Sequence, residues 1–189
     1  MALKLITAPS IEPVSLTEMK SYLREVTTDH DTTLTNLIAS ARDYVEKMTG
    51  RALLTQTWEL TLDDWPARDY IELDYPPLAS VTSIKYTDSA GVENTLAASA
   101  YLVDTSGIPG RVCLKNGQSW PSDELQDFAA IKIRYVAGDT LASAVSPNLR
   151  AAVFLYVANR FEMPDRTEIT DKTQRTIDAL IGLERLIEL

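Results

Sequence analysis

The change of hydrophobic period between residues 31 and 66 constrains this chain more than any other feature. Over DTTLTNLIASARDYVEKMTG, Leu34, Leu37, Ile38, Ala41, Val45 and Met48 recur at helical spacing and so share one face. Asn36, Arg42, Asp43, Glu46 and Lys47 fall on the other face, with Asp43 and Lys47 four apart and able to pair. Gly50 follows as a helix stop, where positive φ is favoured. From Gln56 to Leu62 the period drops to two. Thr57, Glu59 and Thr61 alternate with Trp58, Leu60 and Leu62, the pattern of a strand with one wet face. A fold that mixes helices with half-buried strands is required.

The remaining segments extend both classes. Residues 1–14 read as extended, with Pro9 and Pro13 as breakers. Ser15-Leu16-Thr17-Glu18 forms a capping box, and Leu16, Met19, Leu23 and Val26 make a narrow apolar stripe behind it. Asp31 reads as the cap of the long helix. After Trp65-Pro66 come short alternating runs near 70–74, 81–86, 92–96, 101–103, 111–114 and 131–135. Turn signals such as Asp88-Ser89-Ala90-Gly91 and Asn116-Gly117 separate them, a spacing that predicts an antiparallel sheet or small barrel. Ser146-Pro147 opens a helix that is apolar almost all round from Leu149 to Met163, so it is expected to be buried on every side. Phe154, Leu155 and Val157 are its candidate contacts with a second subunit. Pro164 stops it, and 165–171 reads as a polar linker. The last segment, 172–189, is an amphipathic helix whose stripe holds Ile177, Leu180, Ile181, Leu183 and Ile187, with Glu184 set inside it, either to pair with a partner's Lys or Arg or to point past the rim. Either this helix folds back on its own domain or it is a docking arm.

The expected class is therefore α+β, with helices on either side of an antiparallel β-rich stretch. The expected division is 1–163, with helices at about 15–25, 32–49 and 147–163 and the β-rich stretch at about 55–137, followed by a linker and a last helix over 164–189.

Residue chemistry argues against several functions. With 18 basic and 27 acidic residues the net charge is −9, which gives no electrostatic grip on phosphates. One cysteine, Cys113, excludes an intrachain disulfide framework and a cysteine zinc cluster. The opening MALKLITAPS has too short an apolar run for a secretory signal, and no run approaches a membrane span. Phosphate loops, dinucleotide fingerprints and His-Glu-x-x-His motifs are missing. His30 stands between Asp29 and Asp31 as a solvated loop residue, and Cys113 alternates in a strand as a buried, inert thiol. Asp63, Asp64, Asp69, Glu72 and Asp74 are dense enough to bind a hard cation, yet their spacing fits no calcium loop, so a solvated acidic rim is preferred. Trp58, Trp65 and Trp120 read as pins between sheet and helices. No catalytic, cofactor-binding or metal-binding residue is assigned.

An ordered series of short motifs adds a resemblance. It runs through Glu12-Pro13-Val14-Ser15-Leu16, Ala41-Arg42 and Val45-Glu46 to Thr49-Gly50-Arg51-Ala52-Leu53, then Gln56-Thr57-Trp58 and Trp65-Pro66. Pro77 to Tyr86, Ser119-Trp120-Pro121, Ile133 to Gly138, and Pro147 with Leu149 to Ala152 complete it. Over roughly 3–163 this resembles the head–tail connector (adaptor) proteins of long-tailed bacteriophages, which also occur in prophages and gene-transfer particles. The resemblance implies an α+β helical bundle carrying an antiparallel β-rich insertion and a C-terminal docking helix, in a non-enzymatic virion protein at the head–tail junction. It implies a homo-oligomeric ring of about twelve copies below the portal protein, which extends the DNA channel without specific binding and carries a stopper or tail-completion protein. It also implies that the C-terminal stretch docks on the portal, here through Ile177, Leu180, Ile181, Glu184 and Ile187. No cofactor and no membrane are implied. Two alternatives remain open on the residues alone: an acidic metal-dependent hydrolase using the Asp63–Asp74 cluster, and a transient tail-completion or assembly factor.

Overall fold

The computed structural model describes residues 1–162 and 171–185. The chain is α+β and divides into two compact units, one from Met1–Ala8 and Thr55–Gly138, the other from Pro9–Leu54 and Asp139–Leu189.

The first unit is all β among the described residues. Its larger sheet is antiparallel, in the order β1 (Ala2–Thr7), β2 (Gln56–Leu62), β8 (Ile131–Ala137), β4 (Leu78–Thr87), β5 (Glu93–Thr95). β2 and β8 pair along their full length, from Gln56 opposite Ala137 to Leu62 opposite Ile131. Period-two burial sets the faces: Ile131, Ile133, Tyr135 and Ala137 point inward while Lys132 and Arg134 are exposed. The N-terminal segment read as extended is the edge strand β1, with Lys4 opposite Glu59. Its alternation of Leu3 and Leu5 around Lys4 is the strand signal. The smaller sheet runs β3 (Tyr70–Leu73), β7 (Gly110–Leu114), β6 (Tyr101–Asp104).

Gly110, at the start of β7, marks a close approach. A Cβ there would meet Leu78 Cβ at 2.4 Å and its Cδ2 at 2.8 Å. Leu78 Cβ is fixed to the backbone, so the strands themselves would have to part. Gly110→Ala is expected to destabilise the β unit by about 1–3 kcal/mol, seen as a lower urea midpoint; an unchanged midpoint would show that the approach is not tight.

The tryptophans stack on other aromatic rings. Trp58 stacks on Tyr75 at 4.3 Å between centroids, and Trp65 stacks on Trp120 at 4.9 Å. Trp120 donates its indole N–H to the Arg68 carbonyl. All these contacts lie inside the β unit, because the tryptophans sit on β2 and in loops that fold over its sheets.

The second unit is helical: α1 (Leu16–Leu23), α2 (Asp31–Thr49), α3 (Pro147–Glu162) and α4 (Asp171–Gly182). Its core includes Met19, Leu34, Ile38, Ala41, Val45, Leu149, Val153, Tyr156, Val157, Ile177 and Ile181. The capping box forms: Ser15 Oγ accepts from the Glu18 N–H, and the Glu18 carboxylate accepts from the Ser15 N–H. α1 then ends sooner than its stripe implied. Arg24 adopts φ 58°, and the Glu25 N–H bonds back to the Lys20 carbonyl at 2.9 Å. Val26 lies past this stop and is 91% exposed. No glycine announces the turn, so the sequence hides it.

α2 corrects three more expectations. Asp31 is not the cap; it is the first helical residue, and its carboxylate binds Lys20 at 2.5 Å. Met48 is exposed, and Thr49 is buried with its hydroxyl bonded to the Val45 carbonyl. Arg42 and Glu46, expected on the wet face, are buried. Arg42 donates to Glu12 at 2.9 Å and to Glu46 at 2.6 Å, and Glu46 also accepts the Leu53 N–H at 2.8 Å. A wide helix face can be covered on its polar side when each charge finds a partner. Gly50, at φ 69°, stops the helix as the sequence indicated.

Candidate assembly surfaces

α3 is the centre of the helical unit and packs against both α2 and α4. Between Asn148 and Phe161 no residue is exposed. Leu149, Ala152, Val153, Tyr156 and Val157 are buried in the core. Of the three residues offered to a neighbouring subunit, Val157 is thus enclosed by its own unit. Phe154 is half-buried, with its ring 5.0 Å from that of Tyr22. Leu155 is half-buried too. It lines a cavity of about 420 Å³ together with Tyr22, Leu23, Ala158 and the polar Arg24, Asn159 and Glu162.

The C-terminal stripe also turns inward. Ile177 and Ile181 are 0% and 3% exposed, and Leu180 packs against the same core. Glu184 finds a partner within its own unit. It accepts a hydrogen bond from Ser146 Oγ at 2.5 Å, at the residue preceding α3. The positive end of the α3 dipole suits a carboxylate there. Leu183 is the apolar residue of this stretch that faces out, at 76% exposure. Ile187 lies outside the described residues.

On the β unit, basic side chains of β4 and β8 share one site with Glu59 and Glu93. Lys132 and Arg134 lie on the outer face of β8, where Lys85 of β4 faces Lys132 across the ladder. Arg134 pairs with Glu59 at 2.6 Å and Lys85 with Glu93 at 2.6 Å. Other acids gather on the loops. Asp63, Asp64, Asp123 and Asp127 line a cavity of about 440 Å³ together with Trp65. A backbone hydrogen bond from Ala129, with the N-terminal ammonium 3.6 Å away, holds the Asp63 carboxyl below its usual range. Ser106, by hydroxyl and N–H, and Arg111 hold Asp104 at about 2.

The acids singled out as cation ligands do not converge. Asp64 accepts its own neighbour's N–H at Trp65, and Glu72 pairs with Arg68 at 3.6 Å. Among the described residues, no group of three or more His, Cys, Asp or Glu side chains is placed to hold a metal ion. His30 precedes α2 and lies edge-on to Phe161 at 5.3 Å. The Cys113 thiol is free and half-buried, less enclosed than its alternation implied.

One feature had no signal that we read in the sequence. Phe128 is 78% exposed on the loop before β8, and that loop is held in place. Gln126 Nε2 donates to the Phe128 carbonyl at 2.7 Å and to the Ala129 carbonyl at 3.2 Å, and Asp63 accepts from the Ala129 N–H at 2.9 Å. Ala129 itself sits at φ 51°. The pattern Asp127-Phe128-Ala129 after a tryptophan-proline turn looks like any loop; only its fixed geometry and exposure distinguish it.

A family model for head completion proteins matches residues 12–168. The chain belongs to the head completion protein family. Solved structures agree over full length. A chain in the neck of an empty gene transfer agent (GTA) particle, computed with C6 symmetry, matches with TM-score 0.84 and 26% identity, covering 100% of this chain and 97% of that one. A chain in the virion of a native GTA particle matches with TM-score 0.81 and 25% identity over the same shares. A chain in the neck of a native GTA particle, computed with C12 symmetry, matches with TM-score 0.75 and 27% identity, again over 100% and 97%. No match is found among curated protein sequences. This head completion protein is a structural head–tail connector of a phage-like particle, in keeping with the motif series.

Proposed function

We propose that copies of this chain form a ring in the particle neck, between the portal protein and a stopper or tail-completion protein, and that the ring acts without catalysis. The observation that carries the reading is the full-length likeness to GTA neck chains whose assemblies were computed with C6 and C12 symmetry. A cyclic ring needs two different complementary patches on each subunit, and the acid-lined loop of the β unit is a candidate for one of them. Net charge −9 suits a conduit along which DNA slides, because phosphates are repelled and not trapped.

Phe154 and Leu155 remain candidates for lateral contact through their half-buried rims. Val157 could join them only by leaving the core. Portal docking through Ile177, Leu180 and Ile181 likewise requires α4 to leave its bed, which would also release Glu184 from Ser146. The described stretch otherwise presents Leu183 to a partner.

The test is particle production from cells lacking this chain. DNA-filled heads without tails are expected, with tailed particles restored by the wild-type chain. Asp64→Asn is expected to restore them equally, since its carboxylate serves only a local turn. Normal tailed particles without the chain would overturn the connector role, and failure of Asp64→Asn in a folded chain would revive the hydrolase.

A further inference from the structure

We propose that Phe128 is the knob of the lateral contact between copies, and that it seats in the Tyr22–Leu155 cavity of the next subunit. This rests on the ring reading above. A phenyl ring left in water on a held loop is the usual form of an interface anchor, because little ordering remains to be done on binding. Gln126 and Asp63 fix the loop through three hydrogen bonds, and the ring of Phe128 is 78% exposed on it.

The chain also carries a hole. The cavity beside α3, at about 420 Å³, is roomy enough for a benzyl group; Leu23, Leu155, Ala158 and Tyr22 line it together with the polar Arg24, Asn159 and Glu162. Arg24 lies on the left-handed turn that ends α1. The knob is flanked by Asp127, with Asp123 and Glu124 on the same loop. A carboxylate beside the phenyl and a guanidinium in the lining of the hole are complementary, and the single carboxylate of that lining, Glu162, does not cancel a loop of three acids. Knob and hole lie on different units of the chain, the first on the β unit and the second on the helical unit. Two different patches meet in such a contact, and repeated head to tail they close a ring. The likeness to chains in C6- and C12-symmetric necks makes the occupant a second copy of this chain.

Two variants of the full chain test this in assembled necks. Phe128→Ala should melt at the wild-type temperature, since the ring touches little of its own subunit, and should lower the yield of rings at least tenfold. Asp127→Cys with Arg24→Cys, in a Cys113→Ser background that keeps Phe128, should give a ladder of disulfide-linked multimers on oxidation, and neither single cysteine should. Rings at normal yield from Phe128→Ala, or no ladder from rings that form normally, would overturn the knob while leaving the ring intact. Normal rings from Phe128→Ala that fail to join a tail would assign Phe128 to another protein. Absence of any ring from the wild-type chain in particles would overturn the ring reading itself.

Discussion

Arg42→Met is expected to destabilise the helical unit by about 3–5 kcal/mol, the range for breaking a buried ion pair from one side. Arg42 is 9% exposed and is the cation between Glu12 and Glu46. Burial works against its charge, yet the two carboxylates outweigh this and raise its pKa. Without the guanidinium both acids face each other inside the unit, and Glu46 still has to accept the Leu53 N–H. The segment before α1, which holds Glu12, would lose its tie to α2. Urea unfolding at pH 7 measures the loss, and Glu46→Gln, which keeps an acceptor for Leu53, is expected to lose less.

The same variant carries a pH signature. Burial already raises the Glu12 pKa above 4.5 in the folded chain, despite the opposing pull of Arg42. A carboxyl with a higher pKa folded than unfolded takes up a proton on folding. Its contribution therefore improves as pH falls through the folded pKa and is complete below 4.5. Removing Arg42 raises this pKa further, so the gap between variant and wild type should narrow on going from pH 7 towards pH 5. A constant gap would mean that the lost packing of the guanidinium stem, not its charge, stabilises the unit.

Ile177→Ala is expected to cost about 2–5 kcal/mol, the range for truncating a large aliphatic core residue. Ile177 is fully buried with Ile181 in the core that α3 shares. Leu183→Ser, a few residues on, should stay within about 0.5 kcal/mol because that side chain is in water. Deleting residues from 171 onward should expose the core, seen as dye binding and a broadened melt of the helical unit. If the deletion instead melts sharply and only loses the portal, α4 is a detachable arm. Thermal melts and portal co-sedimentation on the same samples separate the two.

These contrasts show what was legible in the chain. Hydrophobic period placed α2, β2 and β8, because burial of one face is a local property of the pattern, and the Ser146-Pro147 start with the apolar run behind it placed α3. Caps with strong chemistry were legible too: Ser15 with Glu18 and the glycine at position 50 act where the sequence put them. The acidic balance and the absence of catalytic motifs pointed away from phosphate grip and enzymatic chemistry, and the ordered motif series pointed to a connector.

Tertiary structure decided the rest, and each case has the same physical origin. Whether a polar residue is wet depends on what arrives from elsewhere in the chain. Glu12, thirty residues away, makes burial of Arg42 tolerable. Ser146 and the end of α3 give Glu184 a partner that no neighbour in sequence predicts. The apolar stripe of α4 looks the same whether it covers its own core or a portal; only α3 beside it settles that Ile177 and Ile181 face inward here. Phe128 is the converse. Its identity suggests burial, and only the hydrogen bonds from Gln126, with Asp63 accepting the Ala129 N–H, keep that loop and its ring out in solvent. The sequence by itself determined which segments must bury a face and that the whole is acidic and α+β. The tertiary structure alone decided which charges pair across the chain, beyond a local pair such as Asp43 and Lys47, and which apolar side chains are left over for a partner, because both depend on contacts between residues far apart in the chain.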